Sequence, residues 1–299
     1  MRMDLEMFVT NRPKDLLRRE YDVAAIRSKF QQPYDDITYF GMPGPSMLDV
    51  KEWGDYLGFI IAVENKTENL GIMQMTAGSL GLSDRTQILQ GDVESILLNW
   101  EDDVGEIPGK DSFQVVNLDF EGGFIGFSNI LVHDLRIDAI RELFRRQMHQ
   151  QTSFLLFLTV GFREKRGQEY DLNLHHIREE LAELGINAQD TINWYLSHGV
   201  KHKLKVYVPH LIEDYGRTFR FSLRAYRCFH YKGTGNVPMM HFIFDLKYSK
   251  RIVFPKRLSL KSILNCPLFQ VYSDKVEASP VRPPLIVGGV ESGFPSSRA

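Results

Sequence analysis

The sequence predicts an α/β fold: a doubly wound, mainly parallel sheet with a C-terminal antiparallel hairpin, arranged as a three-layer αβα sandwich. Between residues 38 and 184, short apolar runs typical of buried strands alternate with helix-length segments. Such alternation requires crossover connections and therefore parallel strands. Two longer strand-like segments, Phe219–Tyr231 and Met239–Tyr248, then follow with only a glycine-bearing loop between them, which is typical of a hairpin.

The elements follow one another in this order. Residues 1–34 form a predicted helical N-terminal extension. The first strand is predicted at Thr38–Phe40, and a helix with Ser46 as its N-terminal cap is predicted from Met47 to Tyr56. The later predicted strands are Phe59–Val63, Thr86–Leu89, Phe113–Leu118 and Ser153–Val160, and the later predicted helices are Asn69–Leu80, Val93–Leu98, Asp134–Gln150 and His175–Leu184.

The predicted main domain covers residues 35–250. Residues 251–299 are predicted to form a C-terminal extension that ends in a flexible tail. From Lys275 onward the chain carries four prolines with several glycines and serines, and it shows little apolar periodicity.

The composition of the 299-residue chain excludes several classes of protein. Hydrophobic residues make up 43% of it, and no apolar run approaches the roughly 18–20 residues that span a bilayer. The N-terminus lacks the apolar core of a signal peptide. The two cysteines lack CxxC spacing, and the adjacent His175 and His176 point to different sides of a helix. We therefore expect a cytoplasmic protein without a membrane partner and without a metal.

The formal net charge of −2 hides an asymmetry along the chain. Residues 35–130 carry about 17 acidic and 4 basic side chains, whereas residues 198–261 carry about 14 basic and 3 acidic ones. In the basic half, Arg220 and Arg224 are predicted to share one strand face with Tyr226, as in surfaces that bind RNA or single strands. The alternatives are an uneven surface charge or a charged sheet edge. The candidate nucleic-acid-binding residues are Lys201, Lys203, Lys205, Arg217, Arg220 and Arg224.

Four predicted strands end in residues suited to a nucleotide. Gly41 and Gly44 follow the first strand and let the backbone approach a ligand closely. Glu64 ends the second strand, 20 residues after Gly44, which is the spacing of an acid that binds ribose hydroxyls. Asp92 follows the third strand and Asp119 ends the fourth. Because the carboxyl ends of parallel strands meet at one edge, the sequence predicts a nucleotide crevice there.

Residues 38–123 resemble the core of class I S-adenosylmethionine-dependent methyltransferases, in the order of four motifs. These are the turn Phe40-Gly41-Met42-Pro43-Gly44, the acid Glu64, the string QGDVESIL around Asp92 and the string FQVVNLDFEGG around Asp119. The resemblance implies S-adenosylmethionine as cofactor and Asp119 and Glu121 as catalytic residues. It implies a cofactor site made of Phe40, Gly41, Pro43, Gly44, Glu64, Asn65, Asp92 and Val93.

Three functions stay open on the sequence. The first is a methyltransferase that acts on nucleic acid, with RNA as one possibility. The second is a non-catalytic subunit of the same fold in a nucleic-acid-processing or bacterial defence complex with protein partners. It is suggested by the string Asp119-Phe120-Glu121-Gly122, which lacks the two prolines of enzymes that methylate amino groups. The third is a nicotinamide-dependent oxidoreductase, which the lack of a GxGxxG turn disfavours.

Overall fold

The computed structural model describes residues 11–123, 130–162, 188–250 and 260–279. Nine strands of these residues form one sheet in the order β3-β2-β1-β4-β5-β7-β6-β8-β9. Strands β1 to β5 are parallel, and β7 lies antiparallel between β5 and β6. The chain therefore has the predicted α/β class, and its strand order confirms a class I methyltransferase-like fold.

The predicted strands form close to their expected positions. β5 illustrates why these strands can be recognised in the sequence. All eight of its residues are buried, because a strand in a parallel sheet has both faces covered, and such a strand is a continuous apolar run. The strands are β1 (Thr38–Gly41), β2 (Phe59–Glu64), β3 (Thr86–Gln90), β4 (Val115–Gly123), β5 (Phe154–Gly161), β6 (Phe221–Lys232) and β7 (Pro238–Tyr248).

Two strands extend the sheet beyond the predicted hairpin. β8 (Leu268–Val271) runs parallel to β6, and β9 (Val276–Ala278) pairs antiparallel with β8. The prediction of a flexible tail from Lys275 is wrong for β9, because its backbone pairs with the sheet. Residues 280–299 lie outside the described part of the chain, and the division into three segments stays a prediction.

Helices cover both faces of the sheet. The described helices are α1 (Arg12–Leu16), α2 (Val23–Lys29), α3 (Leu48–Trp53), α4 (Thr67–Ser79), α5 (Val93–Asn99), α6 (Ile130–His149), α7 (Ala188–Ser197), α8 (Val200–Thr218) and α9 (Leu260–Asn265). A π-helical segment, Leu17–Asp22, joins α1 to α2. The apolar side chains of α1 to α4 pack in one core, on the face that we call the front face. Those of α5 to α9 pack in the other core, on the back face.

Two local predictions differ from the structure. Met47, not Ser46, is the N-cap of α3, and it adopts a left-handed conformation (φ 46°) without a capping hydrogen bond from its side chain. No element was predicted over residues 200–218, which form the 19-residue helix α8 despite the internal Pro209. The predicted helix His175–Leu184 lies outside the described residues.

Among the described residues, no helix combines the length and the apolar character needed to cross a lipid bilayer.

Candidate functional site

The strand order places a crevice at the carboxyl ends of β1 and β4. Chain connections from β1 to β3 run to one side of β1, whereas β4 pairs on its other side. Ligands of open α/β sheets bind outside the carboxyl ends of the strands at such a switch point. Gly41 and Glu64 are the last residues of β1 and β2. The expectation that Asp119 ends the fourth strand is wrong, because β4 continues to pair with β5 as far as Gly123. Asp119 nevertheless lies at the same edge, since it is two residues beyond Asn117, the partner of Gly41.

The turn after β1 requires glycine at its first position. A Cβ atom on Gly41 would lie 2.5 Å from the carbonyl oxygen of Asn117 and 2.6 Å from the Tyr39 hydroxyl. The Met42 amide donates a hydrogen bond of 3.2 Å to the same Asn117 oxygen, which holds the turn against β4. Gly44 has a left-handed φ of 67°, and a Cβ atom there would have nothing within 4 Å of it, so space is open beside the turn.

Two predicted cofactor residues at this turn have buried side chains. The Phe40 ring stacks on Phe113, with 4.6 Å between the ring centroids, and Pro43 is also buried. Phe40 can therefore meet a ligand only through its backbone.

The ends of β2 and β3 are joined by hydrogen bonds. The Gly91 amide donates to the Glu64 carbonyl oxygen over 3.0 Å, and the Asn65 side-chain amide donates to Asp92 Oδ1 over 3.1 Å. The Glu64 carboxylate, which is half-buried, accepts a bond of 2.9 Å from the Lys66 amide. Asn65 and Asp92 are exposed, whereas Val93 is in the core. This rim presents three polar side chains, Glu64, Asn65 and Asp92, at one end of the crevice.

Asp119 of β4 forms an ion pair with Lys14 of α1. The two side chains retain 17% and 19% exposure, so the pair is partly open to solvent. Glu121, the other predicted catalytic residue, follows on the same strand, but its side chain lies outside the described part of the chain. Sequence reasoning missed Lys14, because 105 residues separate it from Asp119 and no local pattern connects them.

A buried ion pair supports the crevice from the front face. The Arg18 guanidinium pairs with Asp49, whose second carboxylate oxygen accepts a bond of 2.6 Å from the Asn117 side chain. Burial alone would lower the pKa of Arg18, but the carboxylates of Asp49, Asp119 and Asp15 together outweigh it and raise this pKa, with Asp49 contributing most. Asn117 and Asp119 point to the same face of β4 because they are two residues apart. The polar groups of β4 are therefore oriented by α1, the π-helical segment and α3.

The predicted nucleic-acid-binding residues do not form one surface. Lys203 and Lys205 are buried in α8, and the Lys205 ammonium donates to the Leu264 carbonyl oxygen over 2.9 Å. Burial lowers the pKa of Lys205. A phosphate backbone cannot reach these two groups, so we do not retain them in the predicted surface. Lys201 is half-buried on the same helix.

Three of the predicted cations, Arg217, Arg220 and Arg224, are exposed. The predicted shared face with Tyr226 is wrong, because Arg220 precedes β6 and a register shift falls between Leu223 and Ala225. Tyr226 is buried, and its hydroxyl donates to the Ile263 carbonyl oxygen over 3.0 Å. Its ring is therefore not available to stack on a base.

No metal site emerges from the described residues, where no three His, Cys, Asp or Glu side chains form a group that could hold an ion. Cys228 and Cys266 are free and buried, and burial raises the pKa of both thiols.

Residues 14–195, more than half of the chain, match the model of the PP_RS20740-like family. The matched part begins at Lys14 and includes β1 to β5, so it covers the crevice. No curated protein matches the chain.

Solved structures resemble the chain only remotely. An uncharacterized protein of Listeria monocytogenes serotype 4b, LMOf2365_1472, is 10% identical and has a TM-score of 0.42; the aligned region covers 87% of this chain and 76% of the Listeria protein. The cofactor-bound Rv0187 from MTB is 9% identical, with coverages of 80% and 82% and a TM-score of 0.41. The human methyltransferase 10 domain containing protein is 10% identical, with coverages of 82% and 88% and a TM-score of 0.39.

Proposed function

This chain belongs to the PP_RS20740-like family, and we propose that it is an S-adenosylmethionine-dependent methyltransferase that acts on nucleic acid. The observation that carries the proposal is that the turn Gly41–Gly44, Glu64, Asp92 and Asp119 share one edge of the sheet at a switch point.

The residues of the crevice fit such a cofactor. The absence of a side chain at Gly44, where an added Cβ atom would have nothing within 4 Å, leaves the turn open to close approach of a ligand, whereas Gly41 lets the turn pack against β4. Glu64 provides carboxylate oxygens that can accept hydrogen bonds from both ribose hydroxyls. Asp92 and Asn65 are exposed beside Glu64, where they can meet an adenine edge. When bound, the cofactor supplies an electrophilic methyl group on its sulfonium.

Asp119 is the group that we assign to proton transfer. Asp119 lies in β4 two residues beyond Asn117, the partner of Gly41, and its carboxylate can accept a proton from the attacking nucleophile. The remaining contribution of the protein is to hold the reactants in line, which can itself supply much of the rate enhancement. Lys14 limits the freedom of Asp119, since it must move or share this carboxylate when the nucleophile arrives.

The first test is calorimetric titration with S-adenosylhomocysteine. We expect wild type to bind it and Glu64→Ala to bind about tenfold or more weakly, because a hydrogen bond to a charged group contributes about 1.5–3 kcal/mol. Glu68→Ala is the matched control, since Glu68 is an exposed acid four residues away in the first turn of α4. No binding by wild type would contradict the cofactor, and equal binding by both variants would contradict the role of Glu64.

A non-catalytic subunit of the same fold is the second candidate. The Lys14–Asp119 ion pair favours it, because it engages the carboxylate that proton transfer requires. Transfer of a radiolabelled methyl group to an RNA or DNA pool separates the two functions. Transfer that Asp119→Asn abolishes, with S-adenosylhomocysteine binding intact, supports the enzyme. Binding without any transfer supports the subunit.

A further inference from the structure

We propose that four cations at the open end of the β6–β7 hairpin form a docking surface for the phosphate backbone of nucleic acid. This basic cluster consists of Arg220, Arg224, Lys247 and Lys250, all of which are exposed. The inference rests on the proposed function in that nucleic acid is the proposed substrate. Docking can nevertheless be measured without cofactor or methyl transfer.

Two backbone irregularities of this hairpin coincide with Arg220 and Arg224. Arg220 adopts a left-handed conformation, with φ at 65°, which is uncommon for a residue other than glycine. Its carbonyl oxygen accepts a bond of 2.9 Å from the Ser249 amide and so closes the hairpin. Arg224 lies in the bulge between Leu223 and Ala225. A bulge changes the direction of the side chain that it carries, and here it leaves Arg224 exposed between the half-buried Leu223 and the buried Ala225.

Within the described part of the chain, the positive charge of the cluster is not balanced. Arg224 and Lys247 lie close enough to the Lys29 ammonium to lower its pKa, an effect that adds to the larger effect of burial. Asp245, the acid in this group, already forms an ion pair with Lys29. The remaining charge is therefore positive, which favours a polyanion. Because Tyr226 is buried, we expect contacts with phosphates and little preference for sequence.

The cluster lies at the opposite edge of the sheet from the crevice. Leu246 of β7 pairs with Phe154 at the start of β5, whereas Gly161 at the end of β5 pairs with Met239. The eight residues of β5 rise about 3.3 Å each, so roughly 25 Å separate the two sites. A duplex of about eight base pairs covers this span, since each strand rises about 3.4 Å per nucleotide. The docking surface is therefore physically separate from the cofactor site.

The test measures binding of a 24-nucleotide single-stranded RNA and a 24-base-pair DNA duplex by fluorescence anisotropy over a range of salt concentrations. We expect Arg224→Glu/Lys247→Glu to weaken the binding of at least one probe about tenfold or more. The slope of log K against log salt should become shallower by about 1.4 for the single strand or about 1.8 for the duplex, because two phosphate contacts are lost.

The controls separate docking from folding and from the crevice. Arg224→Lys keeps the charge and should bind nearly as wild type, and Lys51→Glu reverses an exposed cation on α3 and should have little effect. Binding of S-adenosylhomocysteine should stay unchanged in Arg224→Glu/Lys247→Glu, so a failure of docking is distinct from a failure of the cofactor site.

Three outcomes would overturn the proposal. The first is that wild type binds neither probe. The second is that Arg224→Glu/Lys247→Glu and Lys51→Glu weaken binding equally. The third is that the double variant loses binding to phosphatidylserine vesicles while nucleic-acid binding is unchanged, which would assign the cluster to a membrane surface.

Discussion

At the scale of single residues, the crevice depends on its polar side chains and equally on a position, Gly41, where no side chain fits. Gly41 approaches a carbonyl oxygen of the neighbouring strand, and a backbone atom inside a sheet cannot move aside easily. The need for glycine in such a turn can be recognised in the sequence. The sequence does not show which atom a side chain at position 41 would meet, since Asn117 is 76 residues away.

We predict that Gly41→Ala destabilises the protein by about 1–3 kcal/mol, because the added methyl group must displace Asn117 or the Tyr39 ring. Gly71→Ala is the control. Gly71 lies in α4, where an added Cβ atom would have nothing within 4 Å, so alanine should be neutral or stabilising by up to about 1 kcal/mol. Urea unfolding measures both variants. Equal stability of the two would contradict the close approach at Gly41.

At the scale of elements, sequence patterns predicted the strands better than the helices. Strands β1 to β5 contain short apolar runs bounded by turns, and β6 and β7 are longer segments joined by a glycine-bearing loop; these are local signals that do not depend on tertiary context. α8 was missed because Pro209 and the β-branched residues around it disfavour a helix. Packing of its apolar side chains, among them Leu204, Val208 and Ile212, overrides this propensity. Lys203 and Lys205 were predicted to lie on a nucleic-acid-binding surface for the same reason, since the helix in which they are buried was not predicted.

His202 of α8 makes the stability of the protein dependent on pH. Burial, followed by the nearby Lys201 and Lys205, lowers its pKa from 6.5 to about 4. Between these two values the unfolded chain binds a proton that the folded chain does not. We therefore predict that the free energy of unfolding decreases as the pH falls from about 6.5 to about 4.

His202→Gln should make this pH dependence weaker than in wild type, as measured by urea unfolding at several pH values. His198→Gln is the control, because His198 is exposed, although its ring stacks on Trp194 with 3.9 Å between the centroids. If the free energy of unfolding of His202→Gln depends on pH as that of wild type does, the pKa of His202 is the same in the folded and the unfolded chain, and the prediction is wrong.

At the scale of the whole molecule, the sequence predicted the sheet and the order of residues along the crevice. It did not predict how the N-terminal residues attach to that sheet. Four charged side chains of this segment each pair with a group elsewhere in the fold: Lys14 with Asp119, Arg18 with Asp49, Asp22 with His241 and Lys29 with Asp245. Such pairs join residues 31 to 219 positions apart, and no local pattern contains that information.

The innermost of these pairs is fully enclosed. Asp22 Oδ1 lies 3.0 Å from His241 Nε2, and Thr159 Oγ1 lies 2.8 Å from the other ring nitrogen, Nδ1. Burial raises the pKa of the Asp22 carboxyl group. Removing Asp22 would leave His241 without its partner inside the core, and breaking a buried pair in this way typically costs about 3–5 kcal/mol. The N-terminal helices are therefore bound to the sheet by polar as well as apolar contacts.

We predict that a chain lacking residues 1–29 does not form the native sheet. Leu17 and Ile26 of the N-terminal segment share a core with Trp53 and Phe157, so the deletion exposes a large apolar area of the front face. It also removes the N-terminal partners of Asp49, Asp119 and His241. A net stability of about 5–15 kcal/mol cannot absorb both losses.

Circular dichroism and binding of a hydrophobic dye measure the outcome. We expect the truncated chain to lose its near-ultraviolet signal and to bind the dye, as loosely packed states do. A chain lacking residues 1–10 is the control, because it retains all four pairs and the apolar contacts of α1 and α2. Cooperative unfolding of the chain that lacks residues 1–29, at the temperature of this control, would show that residues 30–299 fold without the N-terminal helices. The N-terminal helices would then be an accessory to the sheet, and Lys14 would be free to leave Asp119 without loss of the fold.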